Sequence, residues 1–170
     1  MLGSVSTWFV EQGMTVGVIA RSSESLARLE DVSGPGRLVP LALDYHDVIR
    51  LKHWVRHFQL MEGPLDLVVA WVHKPSTSVL EAVVEEVHAY RQMPWRLIHL
   101  VGSNEGHRPA TWTPATPCYY QRVVLGFINE ANGSRWLTHQ EVFMGVVKAV
   151  TTGVDHLMIG TLSPWEQRPQ

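Results

Sequence analysis

Side chains that could do chemistry gather directly after three apolar stretches of this sequence. The three groups are Arg21-Ser22-Ser23, Asp44-Tyr45 and the loop Ser103-Asn104-Glu105-Gly106-His107-Arg108. A guanidinium beside hydroxyls can bind phosphate, and carboxylates and imidazoles can move protons. Each group also has a plainer interpretation: a solvated arginine at a strand end, an aspartate that caps the next helix, and ordinary polar loop residues. The sequence alone leaves both interpretations open for each group.

Two further candidates are weaker. His53 and His57 are four residues apart on a predicted helix, a spacing that can hold a metal. They lie beside Arg50 and opposite Trp54, so the pattern favours a solvated basic face over a metal site. No His or Asp motif frames Cys118, which we interpret as an incidental loop thiol rather than a nucleophile.

The elements that position these residues are organised around Leu65–His73, a short apolar run between Gly63-Pro64 and Lys74-Pro75. Its length and composition predict a strand that is buried on both faces, as in a parallel sheet. Helical patterns alternate with further predicted strands at 15–20, 38–43, 96–101, 120–128 and 157–162. This alternation predicts an α/β fold with a doubly wound, Rossmann-like parallel sheet in three layers, α/β/α. With no long linker, residues 1–170 are expected to form a single domain.

Composition narrows the class of protein. The 170 residues are 45% hydrophobic and 18% charged, with a net charge of -2 and one cysteine. This charge gives no reason to expect nucleic acid or an anionic membrane as a partner. The apolar runs are strand-sized and no signal peptide is visible. We therefore expect a cytoplasmic protein with a small-molecule ligand.

The order of elements resembles the short-chain dehydrogenase/reductase superfamily, specifically its atypical, shortened members. Met1-Leu2-Gly3, the helix up to Gly13 and the strand up to Arg21 look like the end of a Gly-x-Gly-x-x-Gly turn, its helix and the second strand. The resemblance implies an NAD(P) site in which an arginine after that strand clamps the 2′-phosphate of NADP, so NADP is expected rather than NAD. The implied cofactor residues are Gly3, Arg21, Ser22, Ser23, Asp44, Tyr45, Ala70, Trp71 and Val72.

The sequence departs from this superfamily at its beginning. The first strand and the first two glycines of the motif are missing, which predicts a sheet that lacks its first strand. We interpret the chain as truncated, with Met1 an internal methionine of a longer reading frame. The alternative is a genuinely short chain that pairs its open strand edges with a second copy, as a homodimer, or that has lost cofactor binding.

The superfamily's catalytic pair, a tyrosine four residues before a lysine, is also absent. The resemblance then implies hydride transfer between NADP(H) and a small carbonyl or alcohol, with Ser103 and either Tyr119 or Tyr120 as the proton-handling groups. The alternative is a non-catalytic NAD(P)-binding sensor or scaffold protein that has lost the chemistry. The substrate is not predicted.

Overall fold

A computed structural model describes residues 2–30, 35–73, 77–110 and 112–169. The described residues form two compact units. The two-stranded unit comprises residues 2–65 and 77–93, and the four-stranded unit comprises residues 66–73 and 94–169. The expectation of a single domain stays a prediction.

The two-stranded unit contains a pair of parallel strands and four helices. The strands pair in register from Thr15↔Arg37 to Ala20↔Ala42. In chain order its elements are α1 (Gly3–Glu11), β1 (Thr15–Ala20), α2 (Ser23–Glu30), β2 (Arg37–Ala42), α3 (Val48–Glu62) and α4 (Thr77–Tyr90).

The core of this unit forms where α3 packs on β1. Leu51, Val55 and Phe58 of α3 are buried in this core, and Val48 and Trp54 of the same helix are half-buried. Gly17 of β1 makes room for it: a Cβ there would lie 2.5 Å from Cη2 of Trp54 and 2.9 Å from Cε2 of Phe58. These two rings stack with their centroids 5.2 Å apart. A larger residue in place of Gly17 would displace the stacked rings.

Polar side chains fasten α3 to α4. Gln59 is fully buried and donates a hydrogen bond from Nε2 to the Glu86 carbonyl at 3.1 Å. Arg56 donates to both carboxylate oxygens of Glu86, each at 3.0 Å. Because the side chain of Glu86 is only 7% exposed, this paired geometry satisfies a buried charge.

The four-stranded unit is built on a parallel sheet with the strand order β3-β4-β5-β8. A hairpin, β6-β7, follows β5, and a 3₁₀ helix, Trp165–Gln167, follows β8. The elements of this unit are β3 (Leu67–Trp71), β4 (Trp95–Gly102), α5 (Ser103–Gly106), β5 (Cys118–Leu125), β6 (Phe127–Glu130), β7 (Gly133–Trp136), α6 (His139–Thr152) and β8 (His156–Ile159).

Helix α6 is held on one face of this sheet by a cap at its start and by the sheet at its end. Thr138 and Glu141 form a capping box, in which each side chain accepts from the main-chain amide of the other residue. At the other end, Arg96 donates to the carbonyls of Val150 and Ala149 at 2.9 and 3.1 Å. Gln121 lies between Arg96 and the chain that follows α6, accepting from the guanidinium at 2.9 Å and donating to the Val154 carbonyl at 2.7 Å.

Two strand predictions are wrong in detail. The run Leu65–His73, predicted to be a strand buried on both faces, contains the shorter strand β3, and every residue of β3 is only half-buried. The reason is that β3 pairs only with β4 within the described residues, so the most buried strand is β4. The predicted strand 120–128 divides at Gly126, where a Cβ would lie 2.2 Å from the Thr161 carbonyl oxygen. The chain then turns into the β6-β7 hairpin.

The pairing agrees with the predicted α/β sheet without its first strand. Among the described residues β1 pairs only with β2, and β3 is an edge strand of its sheet.

Candidate functional site

The carboxyl ends of β4 and β5 lie at the same edge of the four-stranded sheet, because the two strands are parallel and paired up to Gly102↔Leu125. The short helix α5 begins there with Ser103, which is buried. A Cβ at Gly106 would lie 2.2 Å from Cγ1 of Val124, so glycine lets the α5 turn approach β5 closely. Ligands of open α/β sheets bind at this edge. Ser103 is therefore placed where the sequence predicts it.

Below this edge, His99 of β4 and Tyr120 of β5 form a hydrogen-bonded pair. His99 Nδ1 and the Tyr120 hydroxyl are 2.8 Å apart. Burial lowers the pKa of His99; the nearby Glu105 carboxylate opposes this shift and the Arg122 charge adds to it. Burial raises the pKa of Tyr120 to about 12, although Arg122 acts in the opposite direction. At neutral pH the pair is therefore an uncharged imidazole and an uncharged phenol.

Tyr120 lies inside the sheet rather than at its carboxyl edge. Its register partner is Leu97, whereas β4 continues to Gly102. At about 3.3 Å per residue, the Tyr120 backbone lies roughly 17 Å below the edge. Tyr119 is 64% exposed, and adjacent residues of a strand point to opposite faces. The structure therefore does not bring Tyr119 and Tyr120 together on one face.

Arg122 is the buried cation beside this pair. It is the register partner of His99 and is 9% exposed. One guanidinium nitrogen, Nη2, donates to the Glu105 carbonyl at 2.7 Å and so reaches up to the α5 turn. Above Tyr120, the ring of Trp112 stands edge-on to the phenol, with 5.9 Å between centroids.

The loop after β4 is fastened to the C-terminal segment. The His107 ring lies 5.0 Å from that of Trp165, and Arg168 stacks over Trp165 with its Cζ 4.6 Å from the ring centre. Arg168 also donates to Asn104 Oδ1. Of the loop cluster proposed from the sequence, His107 thus makes a packing contact, while Arg108 is exposed.

Cys118, predicted from the sequence to be a loop thiol, is instead the first residue of β5. Burial raises the pKa of Cys118 to about 12. A thiol with such a pKa carries almost no thiolate at neutral pH.

The predicted phosphate-binding residues lie in the two-stranded unit, after β1. Arg21, Ser22 and Ser23 are exposed, and Arg21 has no ion-pair partner among the residues that the model describes. Ser22 Oγ accepts from the Ser25 amide at 3.1 Å. Ser22 therefore caps α2. An exposed guanidinium beside two hydroxyls fits a phosphate group.

Asp44 and Tyr45 follow β2 in the same unit. The pKa of Asp44 is lowered, chiefly because Oδ1 accepts the His46 amide at 3.0 Å, and the charge of Arg21 adds a smaller effect. Asp47, not Asp44, caps α3, with its side chain accepting from the Arg50 amide. The Tyr45 ring lies 4.7 Å from that of His46. The carboxylate of Asp44 is thus half-exposed and in the electrostatic range of Arg21.

The other four predicted cofactor residues are half-buried. A Cβ at Gly3 would lie 3.2 Å from Cδ2 of Leu29, a side chain of α2. In the four-stranded unit, Ala70, Trp71 and Val72 are half-buried at the end of β3. The Trp71 ring lies 6.0 Å from that of His73.

Sequence reasoning missed His99, Arg122 and the Arg96–Gln121 pair. The signal was present, since each is a polar residue inside an apolar run that was predicted as a strand. In the described ranges no group of three His, Cys, Asp or Glu residues is placed to hold a metal. Nor do those ranges contain a helix with the length and apolar character needed to span a bilayer.

Comparisons with known proteins find likeness in structure alone. No family model matches the sequence, and no curated protein does. Among solved structures, a double mutant of a short-chain dehydrogenase/reductase from Serratia marcescens is similar with a TM-score of 0.69 and 14% identity, over 93% of this chain and 91% of that one. A betaketoacyl-[ACP] reductase from Bacteroides thetaiotaomicron is similar with a TM-score of 0.66 and 10% identity, over 92% and 90%.

A citronellol catabolism dehydrogenase from Pseudomonas aeruginosa is similar with a TM-score of 0.66 and 14% identity, over 93% of this chain and 87% of that one. At such identities the likeness concerns the fold. This chain has the fold of the short-chain dehydrogenase/reductases.

Proposed function

We propose that this chain is an NADP(H)-binding protein in which dinucleotide binding, rather than standard hydride transfer, is the function. The observation that carries the proposal is the exposed Arg21 guanidinium at the carboxyl end of β1, beside the hydroxyls of Ser22 and Ser23. No acidic side chain follows β1 directly, where the ribose hydroxyls of NAD would need an acceptor. The donor set therefore favours a 2′-phosphate over a free 2′-hydroxyl.

The position of Asp44 supports the proposed binding of the adenosine part of NADP(H). Asp44 follows β2, the strand that pairs with β1, and the pKa of its carboxyl group is lowered chiefly by the His46 amide and to a smaller extent by the charge of Arg21. Both hydrogen bonds from His46 end on Oδ1, which leaves Oδ2 to accept from an adenine amino group. The resemblance to the short-chain dehydrogenase/reductases also implies cofactor roles for Gly3, Tyr45 and Ala70–Val72, and these roles stay proposals.

The chemistry of Tyr120 supports binding over catalysis. A tyrosine that passes a proton during hydride transfer needs a pKa close to the working pH. Burial instead raises the pKa of Tyr120 to about 12, and its hydroxyl is bonded to His99 deep in the sheet. Tyr119 is exposed on the other face. A bound nicotinamide would supply hydride chemistry, but these tyrosines are poorly arranged to move the accompanying proton.

Hydride transfer between NADP(H) and a small carbonyl is the second candidate. The observation that favours it is Ser103, a buried hydroxyl in the first turn after β4 at the ligand edge of the sheet. Glu105 in the same turn is a second group able to move a proton.

Binding is tested by titrating NADPH and NADH into the chain and following nicotinamide fluorescence. We expect NADPH to bind more tightly, and Arg21→Ala to weaken NADPH binding roughly 10- to 100-fold, the value of a charge-assisted hydrogen bond, with little change for NADH. Arg28→Ala is the matched control, because Arg28 is an exposed arginine of α2 that pairs with Glu24. Equal loss in both variants, or no preference for NADPH, would refute the assignment.

Catalysis is tested by following NADPH consumption with a panel of aldehydes and ketones. The proposal predicts no turnover above the buffer rate in the wild type. Turnover that falls in Ser103→Ala but persists in Tyr120→Phe and Tyr119→Phe would instead establish the second candidate, with Ser103 as its catalytic residue.

A further inference from the structure

Arg122 is a buried cation, and no described carboxylate lies within ion-pair distance of its guanidinium. The residue is 9% exposed, and the one hydrogen bond that its guanidinium makes within the described residues goes to the main-chain carbonyl of Glu105. No ion pair of Arg122 occurs among the described residues. Arg96, on the neighbouring strand, is different: its guanidinium bonds to Gln121 and to two carbonyls of α6. Burying a guanidinium is costly unless an anion and further acceptors satisfy it.

The charges around Arg122 select the kind of anion. His99 and Tyr120 face it from the sheet and are uncharged at neutral pH, since burial lowers the pKa of the first and raises that of the second. The Glu105 carboxylate lies within electrostatic range of the same two rings. One cation with one carboxylate nearby can accept a monoanion, whereas a phosphate dianion would be repelled by Glu105 and would need a second cation.

The side chains around Arg122 indicate what the uncharged part of the ligand is like. The rings of Tyr120 and Trp112 meet edge to face, and Tyr120 is the neighbour of Arg122 on the same face of β5. We propose that Arg122 is the anchor of a binding site for a small monocarboxylate with an apolar or aromatic body. This site goes beyond the proposed dinucleotide binding and does not depend on it.

The proposal is tested with sodium benzoate as the probe and inorganic phosphate as the comparison, at constant ionic strength. Arginine Nε–H resonances are followed by ¹H–¹⁵N NMR, and the Arg122 signal is identified as the one that Arg122→Lys removes. We expect benzoate to shift this signal saturably and phosphate to bind at least about tenfold more weakly. Arg122→Lys should weaken benzoate binding about tenfold or more, because the planar fork is lost.

Glu105→Gln provides a readout that a structural role of Arg122 would not give. Removing the nearby negative charge should strengthen benzoate binding at least about threefold and phosphate binding by a larger factor, because phosphate carries the larger charge. Glu81→Gln, an exposed glutamate of α4, changes the net charge equally and should leave both affinities unchanged. The assignment is wrong if benzoate shifts no arginine signal, if phosphate binds as tightly in the wild type, or if the two glutamate variants behave alike.

Discussion

Replacing Gln121 by leucine should release the end of α6 from the sheet. Gln121 is 2% exposed, and its amide makes four hydrogen bonds. Oε1 accepts from Nε and Nη2 of Arg96, and Nε2 donates to the carbonyls of Val154 and Ala149 at 2.7 and 3.3 Å. Leucine has a similar volume, so the substitution removes hydrogen bonds without opening a large cavity.

The expected loss follows from these four bonds. The two bonds from Arg96 are charge-assisted and the strongest of the set. The Ala149 carbonyl keeps its hydrogen bonds from Arg96 and from the Gly153 amide, so losing its bond from Gln121 costs little stability. With about 1 kcal/mol for each of the three other bonds, and about 1 kcal/mol returned by the added apolar surface, the free energy of unfolding should fall by about 2 kcal/mol.

Urea denaturation measures this loss, with circular dichroism and tryptophan fluorescence as independent probes. Gln140→Leu is the matched control, because Gln140 is an exposed glutamine of α6, and it should change stability by less than about 0.5 kcal/mol. In the double mutant with Arg96→Met the losses should fail to add by about 1 kcal/mol or more. A loss below about 1 kcal/mol in Gln121→Leu, or full additivity, would refute the reasoning.

Three further outcomes are expected. The ¹³Cζ resonance of Tyr120 should show a protonated phenol up to about pH 10, because burial raises its pKa to about 12; titration below pH 9 would contradict this. Gly17→Ala should lower the free energy of unfolding by about 1 to 3 kcal/mol through overpacking, and Trp54→Phe should partly restore it, as urea denaturation can measure. The hydrogen bonds from Arg135 lower the pKa of Glu141 to about 2, so the stability that ionised Glu141 contributes is complete above the unfolded-state pKa near 4.5 and is lost as pH falls toward 2. Glu141→Gln should therefore flatten the dependence of the free energy of unfolding on pH below about 4.5, and an unchanged slope would contradict this assignment.

The fold was largely predictable because its strands are apolar and its turns are marked. β1 was predicted with its observed bounds, and β2 was predicted within one residue of its bounds. These features are local, so a single sequence contains them. The burial of β3 was not predictable in this way, because burial depends on which strands pair with it. The break at Gly126 also depends on a distant residue, Thr161.

The candidate site was less predictable than the fold. Ser103 and Arg21 follow strands, so strand prediction alone placed them at sheet edges. Tyr119 and Tyr120 were grouped as neighbours in sequence, although neighbouring strand residues point to opposite faces. The pairing of Tyr120 with His99 depends on the register of β4 and β5. No pattern within either strand specifies that register.

The central claim is that Arg21 holds the 2′-phosphate of NADP(H), and ³¹P NMR of NADPH tests it most directly. In the presence of the chain, the 2′-phosphate resonance should shift saturably, and the shift should persist in Arg28→Ala and disappear in Arg21→Ala. A 2′-phosphate signal that the wild-type chain leaves unmoved, or that moves equally with Arg21→Ala, would contradict the account.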